Sequence, residues 1–190
     1  MQSIIKFHRR LMWLGLLIPI AFCGCNSYTT KEAVQSFESR QGAFSVTVYP
    51  VNVVRGDTVE HDVDLAQKVV TFLRQEGLAE PLLGMTDAEV PVKWRHNQAK
   101  MAQQSALTFA SGVKEANIQT DYALLVEILG NRSETWVGGM HFYLCDRQGL
   151  LANGGLTNSH WEEFKEVKPH DRQGGFEVAL RMLRKEWKRS

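Results

Sequence analysis

The sequence predicts an α+β fold, an α/β sandwich in which helices pack on a mixed or antiparallel sheet. Three observations predict it. Residues 121–129, DYALLVEIL, are apolar on both faces except at Glu127, the pattern of a central strand covered on both sides. Residues 62–76 and 176–188 carry apolar side chains at three- and four-residue steps, which makes helices with one buried stripe each. Residues 137–157 alternate with period two around Asp146-Arg147-Gln148-Gly149, the pattern of a hairpin with a tight turn.

In chain order, residues 43–51 read AFSVTVYPV. Phe44, Val46 and Val48 alternate with polar neighbours, and Pro50 has no amide to donate, so a strand ends or turns outward there. Residues 51–57 lead away as a loop, with Gly56-Asp57 as a turn. Asp62 caps the first helix, whose face is Val63, Ala66, Val69, Val70 and Leu73; Gly77 ends it. Residues 78–92 hold Pro81, Gly84 and Pro91 and read as loop, with a short edge strand at most. A second helix over 97–115 has a narrow face of alanines with Phe109 and Val113, weakened at its far end by Gly112. After the central strand and the hairpin comes a short amphipathic stretch over 161–167. Gly174-Gly175 then opens the last helix, with Phe176, Ala179, Leu180, Leu183 and Trp187 inward.

The amino terminus carries a different kind of information. Lys6, Arg9 and Arg10 precede an apolar run over 11–22, broken by Pro19 and ending in Phe22-Cys23-Gly24-Cys25. The run falls short of the ~20 apolar residues that span a bilayer, and its layout is that of an export signal. Gly24-Cys25 resembles the lipobox of bacterial lipoproteins, with Phe22 where Leu is usual and Cys23 where Ala or Ser is usual. The resemblance implies cleavage after Gly24 and a covalent diacylglycerol and N-acyl lipid on Cys25. No other cofactor is expected. An uncleaved anchor helix and a plain signal peptide are the alternatives. Arg9-Arg10 hints at twin-arginine export, but Leu11-Met12-Trp13 match that signal loosely, so ordinary export is the expectation. Asn26 resembles an outer-membrane address. The expected layout is a signal peptide over 1–24, a lipidated tether over 25–42 and one domain over 43–190. Thr29 and Glu32 have the form of a capping box, with a short helix through Phe37 as the alternative to a flexible leash.

Cleavage would remove three of the 22 basic residues and leave a formal charge of −2 against 21 acidic ones. No concentrated basic surface is expected, so nucleic acid is excluded as a partner. Only Cys145 would remain as a thiol, so no internal disulfide can form, and the domain stands on burial.

The element order and the hairpin resemble the domain shared by the TolB amino-terminal domain, the curli-secretion lipoprotein and the lipoproteins that activate penicillin-binding proteins. The opening strand FSVTVYP at 44–50, the strand DYALLV at 121–126 and the strand and turn FYLCDRQG at 142–149 carry the likeness. It implies a cell-wall synthase, an export machine or another copy of the chain as partner. Extra membrane-spanning strands are not evident, so pore formation is not implied.

For chemistry, Cys145 and His141 share a strand face but lie about 13 Å apart at ~3.3 Å per residue, too far for a hydrogen bond. Cys145 could meet His160 across the hairpin; a half-buried thiol is the plainer reading. The histidines show no metal-ligand spacing, and no metal is expected; the combination of His141 and His160 with a carboxylate is the nearest alternative. Asp62 and Asp64 read as helix caps rather than an acid–base pair. Among the aromatics, Trp136, Tyr143 and Trp161 are candidates for a partner-facing surface, with core packing as the alternative. Arg181, Arg184, Lys185, Lys188 and Arg189 complement their own helix end or touch anionic headgroups.

The expected function is a non-enzymatic interaction or assembly module. It is lipid-anchored in the bacterial cell envelope, faces the periplasm, and sits more readily in the outer than the inner membrane. A small-ligand binder with a pocket near residues 51–57, or an enzyme built on Cys145 with His141 or His160, is the alternative.

Overall fold

A computed structural model describes residues 30–89, 97–131, 133 and 137–188. Among these, seven strands form one mixed, open sheet with five helices packed on it, as the α+β class requires. The centre is β5 (Tyr122–Gly130), fully buried along eight of its nine residues. One side of β5 pairs antiparallel with β6 (Val137–Asp146), which pairs antiparallel with β7 (Leu151–Asn158). Gly149 closes the β6–β7 turn at a φ of +76°, where a side chain would be strained.

The other side of β5 takes two strands end to end. β1 (Ser45–Val48) runs parallel beside its first half and β2 (Val51–Arg55) beside its second. Val48 pairs with Leu124 and Asn52 with Glu127, so three residues on one strand face two on the other. This is a bulge, and Pro50 sits in it, where its missing amide costs no ladder bond. Proline therefore interrupts the strand without ending it. Residues 51–57, expected as a loop, are instead β2 and its turn, and β3 (Thr58–Asp62) folds back antiparallel on β2. β4 (Glu80–Leu83) lies parallel outside β1 as the edge.

Side chains of one parity on β5 and β6, such as Leu124, Val126, Ile128, Met140, Phe142 and Leu144, form the larger core. It is covered by α1 (Lys31–Glu38), α2 (Val63–Gln75), α4 (Glu162–Val167) and α5 (Arg172–Trp187). The opposite parity packs under α3 (Gln98–Ala116), whose Ala102, Ala106, Phe109, Ala110 and Val113 meet Ala123, Leu125 and Tyr143. One helix covers that face, and four serve the other.

Side-chain caps explain four of the five helix starts, α4 being the exception. Asp62, Asn97 and Asp171 each accept an amide three residues on. Thr30, not Thr29, caps α1 through the Ala33 amide. α5 begins before Gly174-Gly175. Gly175 is needed for contact rather than for a start: a Cβ there would lie 2.9 Å from Ile128 Cγ2. α1 also revises the expected tether. Ala33 and Phe37 are buried in the larger core, so the folded domain starts by Thr30 rather than at residue 43.

The strand starts are joined by one carboxylate. Asp121 Oδ2 accepts the Ser45 amide at 3.0 Å and the Ser45 hydroxyl at 2.8 Å, and Oδ1 accepts from Arg147 at 2.6 Å. These donors, the Ser45 amide first, hold the Asp121 carboxyl below the usual aspartate range. A group depressed in the fold stabilises it above its unfolded value and loses that contribution as pH falls through the folded one. Asp121→Asn should therefore cost about 1 kcal/mol at neutral pH, a figure discounted for the half-exposed side chain. The gap to wild type should narrow on acidification below about pH 4. Urea unfolding at several pH values measures both; a gap that widens in acid is the contrary result.

Candidate functional site

A row of polar side chains crosses the sheet on the α3 side. The register aligns His61 on β3 with Asn52 on β2, Asn52 with Glu127 on β5, and Glu127 with His141 on β6. Asn52, Glu127 and His141 are each at most 1 % exposed. Pairing brings together residues up to 89 positions apart in the chain, so only the sheet builds this cluster.

Its centre is Glu127 Oε2. The Tyr143 hydroxyl donates to it at 2.7 Å, and His141 Nδ1 lies 3.1 Å away. Tyr143 Oη and His141 Nδ1 are themselves 2.9 Å apart. Where Glu127 is a carboxylate its oxygen only accepts, and the bond then takes its proton from Nδ1. At the outer end, His61 Nδ1 is 2.8 Å from Asn52 Oδ1, and Asn52 Nδ2 reaches the Ala88 carbonyl at 3.5 Å. Glu127 Oε1 and His141 Nε2 are buried without a hydrogen-bond partner. The cluster is thus two acceptor-bearing side chains and a phenol, locked by mutual bonds and shielded from bulk water.

Such a group can hold and share a proton. Cys145 follows Tyr143 by two residues on the same face, and burial pushes its thiol well above the ordinary range, which leaves it an unreactive apolar neighbour. His160 is exposed and accompanies the Asn158 side chain through its own amide, so the Cys145–His160 pairing does not form. Among the described residues, no group of three or more His, Cys, Asp or Glu could hold a metal ion.

The other expected sites fall as follows. Gly24, Cys25, Trp136 and Arg189 lie outside the described residues. Tyr143 is 1 % exposed and occupied by Glu127, so its place as a partner-facing residue is corrected: alternation turns it under α3, not outward. Trp161 is 42 % exposed at the start of α4. Asp62 is a cap, as read. The basic end of α5 binds neighbouring acids rather than its own helix end: Arg181 pairs with Glu166 and Glu177, Arg184 and Lys188 with Glu76, and Lys185 with Glu163. The cavity nearest residues 51–57, between Val53, Ile128 and Val137, is about 10 Å³, room for a single water at most.

Glu127 and Asn52 escaped the sequence reading. Glu127 did carry a signal, as the one charge in a strand apolar on both faces, but its partner is defined only by the β5–β6 register. No helix among the described residues is long and apolar enough to cross a membrane. No protein-family model and no curated protein matches the chain.

Proposed function

We propose that the protein is a lipid-anchored interaction module of the bacterial envelope, held by Cys25 and presenting its α/β domain on the periplasmic side. The single observation that carries this reading is Gly24-Cys25 at the end of a short apolar run with a basic start. The lipid chains anchor by burial, at about 0.8 kcal/mol per methylene, and two or more chains make that anchoring stable. Confinement then raises the effective concentration of the domain near a membrane-bound partner.

The docking of α1 supports a close-held arrangement. Only residues 26–30 separate Cys25 from the first helix. Five residues reach no further than about 18 Å when extended. The Thr30 amide donates to the Leu151 carbonyl at 3.0 Å, so the chain leaves the domain beside the start of β7. The end bearing the β6–β7 turn would then face the membrane, and the β2–β3 turn would point away from it.

The test is metabolic labelling of the full chain with a palmitate analogue in a bacterial host. Wild type should carry label and sediment with membranes, and Cys25→Ala should lose both. Export of an unlabelled, soluble product by wild type would overturn the anchor.

A further inference from the structure

We propose that the groove between α3 and residues 86–89 docks a cationic segment of a partner protein, with an apolar side chain seated between Lys or Arg residues. This deepens the interaction-module reading and rests on it for its setting.

The groove has a volume of 410 Å³. Its floor is Tyr49 and Phe109, edge-to-face with ring centroids 5.3 Å apart, flanked by Ala88 and Val113. An aromatic floor favours both an apolar side chain and a cation above it. Its rim is acidic: Asp87, Glu89 and Glu115 are exposed and line the same groove. None of the three makes an ion pair among the described residues, and Glu115 accepts only from Ser111. The acids around the basic end of α5 behave otherwise, since Glu76, Glu163, Glu166 and Glu177 are each matched by a base. Charge complementarity therefore calls for a cationic occupant at this groove, whereas the groove beside α5 is already neutralised.

Gly112 is the independent sign. It lies inside α3 on the groove wall, with helical φ, and a Cβ there would meet nothing within 4 Å. Neither packing nor backbone conformation asks for glycine at this position, and alanine would make a better helix. A bare wall is explained by a second chain that approaches it closely. Shortly before residues 86–89 in the chain, Leu82 and Met85 are 59 % and 84 % exposed.

The probe is the peptide acetyl-Lys-Leu-Lys-Leu-Lys-amide, with acetyl-Ser-Leu-Ser-Leu-Ser-amide as the uncharged control. Binding to the full chain in phosphatidylcholine nanodiscs is read by fluorescence anisotropy, and a benzophenone on the central side chain maps the site. The charged peptide should bind at least tenfold more tightly than the control, weaken with salt, and cross-link to 86–89 and 108–116. Gly112→Leu, which fills the wall, and Glu115→Lys, which reverses a rim charge, should each weaken it about tenfold. Gly112→Ala should melt above wild type, which shows that position 112 tolerates side chains. No saturable binding at millimolar peptide, unchanged affinity in Gly112→Leu, or cross-links on α5 overturns the proposal. A homodimer abolished by Gly112→Leu also overturns it, in favour of a second copy as occupant. Failure of lipidation at Cys25 would change neither the peptide affinity nor the cross-link map, so the two readings fail separately.

Discussion

His141→Leu should destabilise the protein by about 3–5 kcal/mol, because it removes one partner of a buried ionisable pair and leaves the other in place. Glu127 is 1 % exposed, and its Oε2 would keep only the Tyr143 hydroxyl. Its Oε1 already has no partner, so no second bond is available to absorb the loss. Leucine fits the space in volume, which makes the cost electrostatic rather than a cavity effect. The companion experiment replaces the whole cluster: Glu127→Leu, His141→Leu and Tyr143→Phe together. No polar atom of the three then remains to be desolvated, and the variant should recover most of the loss or exceed wild type. Strong non-additivity in chemical unfolding is the expected signature of one coupled unit. A cost below about 1 kcal/mol for His141→Leu, or simple additivity, would show that the three side chains do not act together. The apolar variant also separates structure from function. If it folds and still carries out the proposed envelope role, the cluster serves to fix strand register. If it folds and fails, the polar cluster itself is needed for that role.

The same cluster shows where sequence reading stops. α2 and α3 and the β6–β7 hairpin were legible because their signals are local: Asp62 and Asn97 as caps, stripes at helical spacing, and Gly149 at a positive φ. β2 was not, because its parallel partner β5 lies 75 positions away and Pro50 gives a local signal of termination. Residues 51–55 are a strand through pairing with β5 past the bulge and with β3 across the Gly56-Asp57 turn. Alternation correctly placed Tyr143 with His141 and Cys145 on one face. It did not show that α3 roofs that face, so an aromatic that could have faced a partner proved to be internal. Residues 31–38 read as a leash because the stretch around them is polar, and only Ala33 and Phe37 of the eight are buried. Two contacts decide the fate of α1, and neither is visible without the residues they touch.

Phe37 therefore makes the sharper test of how the domain is held. Its ring is fully buried, with centroids 5.6 Å from Phe44, 5.4 Å from Tyr122 and 6.2 Å from Trp187, all in edge-to-face or strongly tilted contact. The Arg40 guanidinium lies 3.5 Å above the same ring. Phe37→Ala should cost about 3–5 kcal/mol, the usual range for a buried Phe, if α1 stays docked over the cavity. The more consequential outcome is release of α1, since Ala33 would then be its only side chain in the larger core. Release caps the thermodynamic loss, and it frees the chain from Cys25 to about Gly42. The reach of the leash would rise from about 18 Å to as much as about 60 Å when extended. Limited trypsin digestion distinguishes the two: cleavage after Lys31 and Arg40 should be slow in wild type and fast in a released variant. A domain built to work close to its membrane would lose function on release while its core remained folded. Restoring a short connection by deleting residues 31–38 outright should then bring function back. Full function with a long leash would mean that α1 serves stability alone and that proximity to the membrane is not what the partner reads.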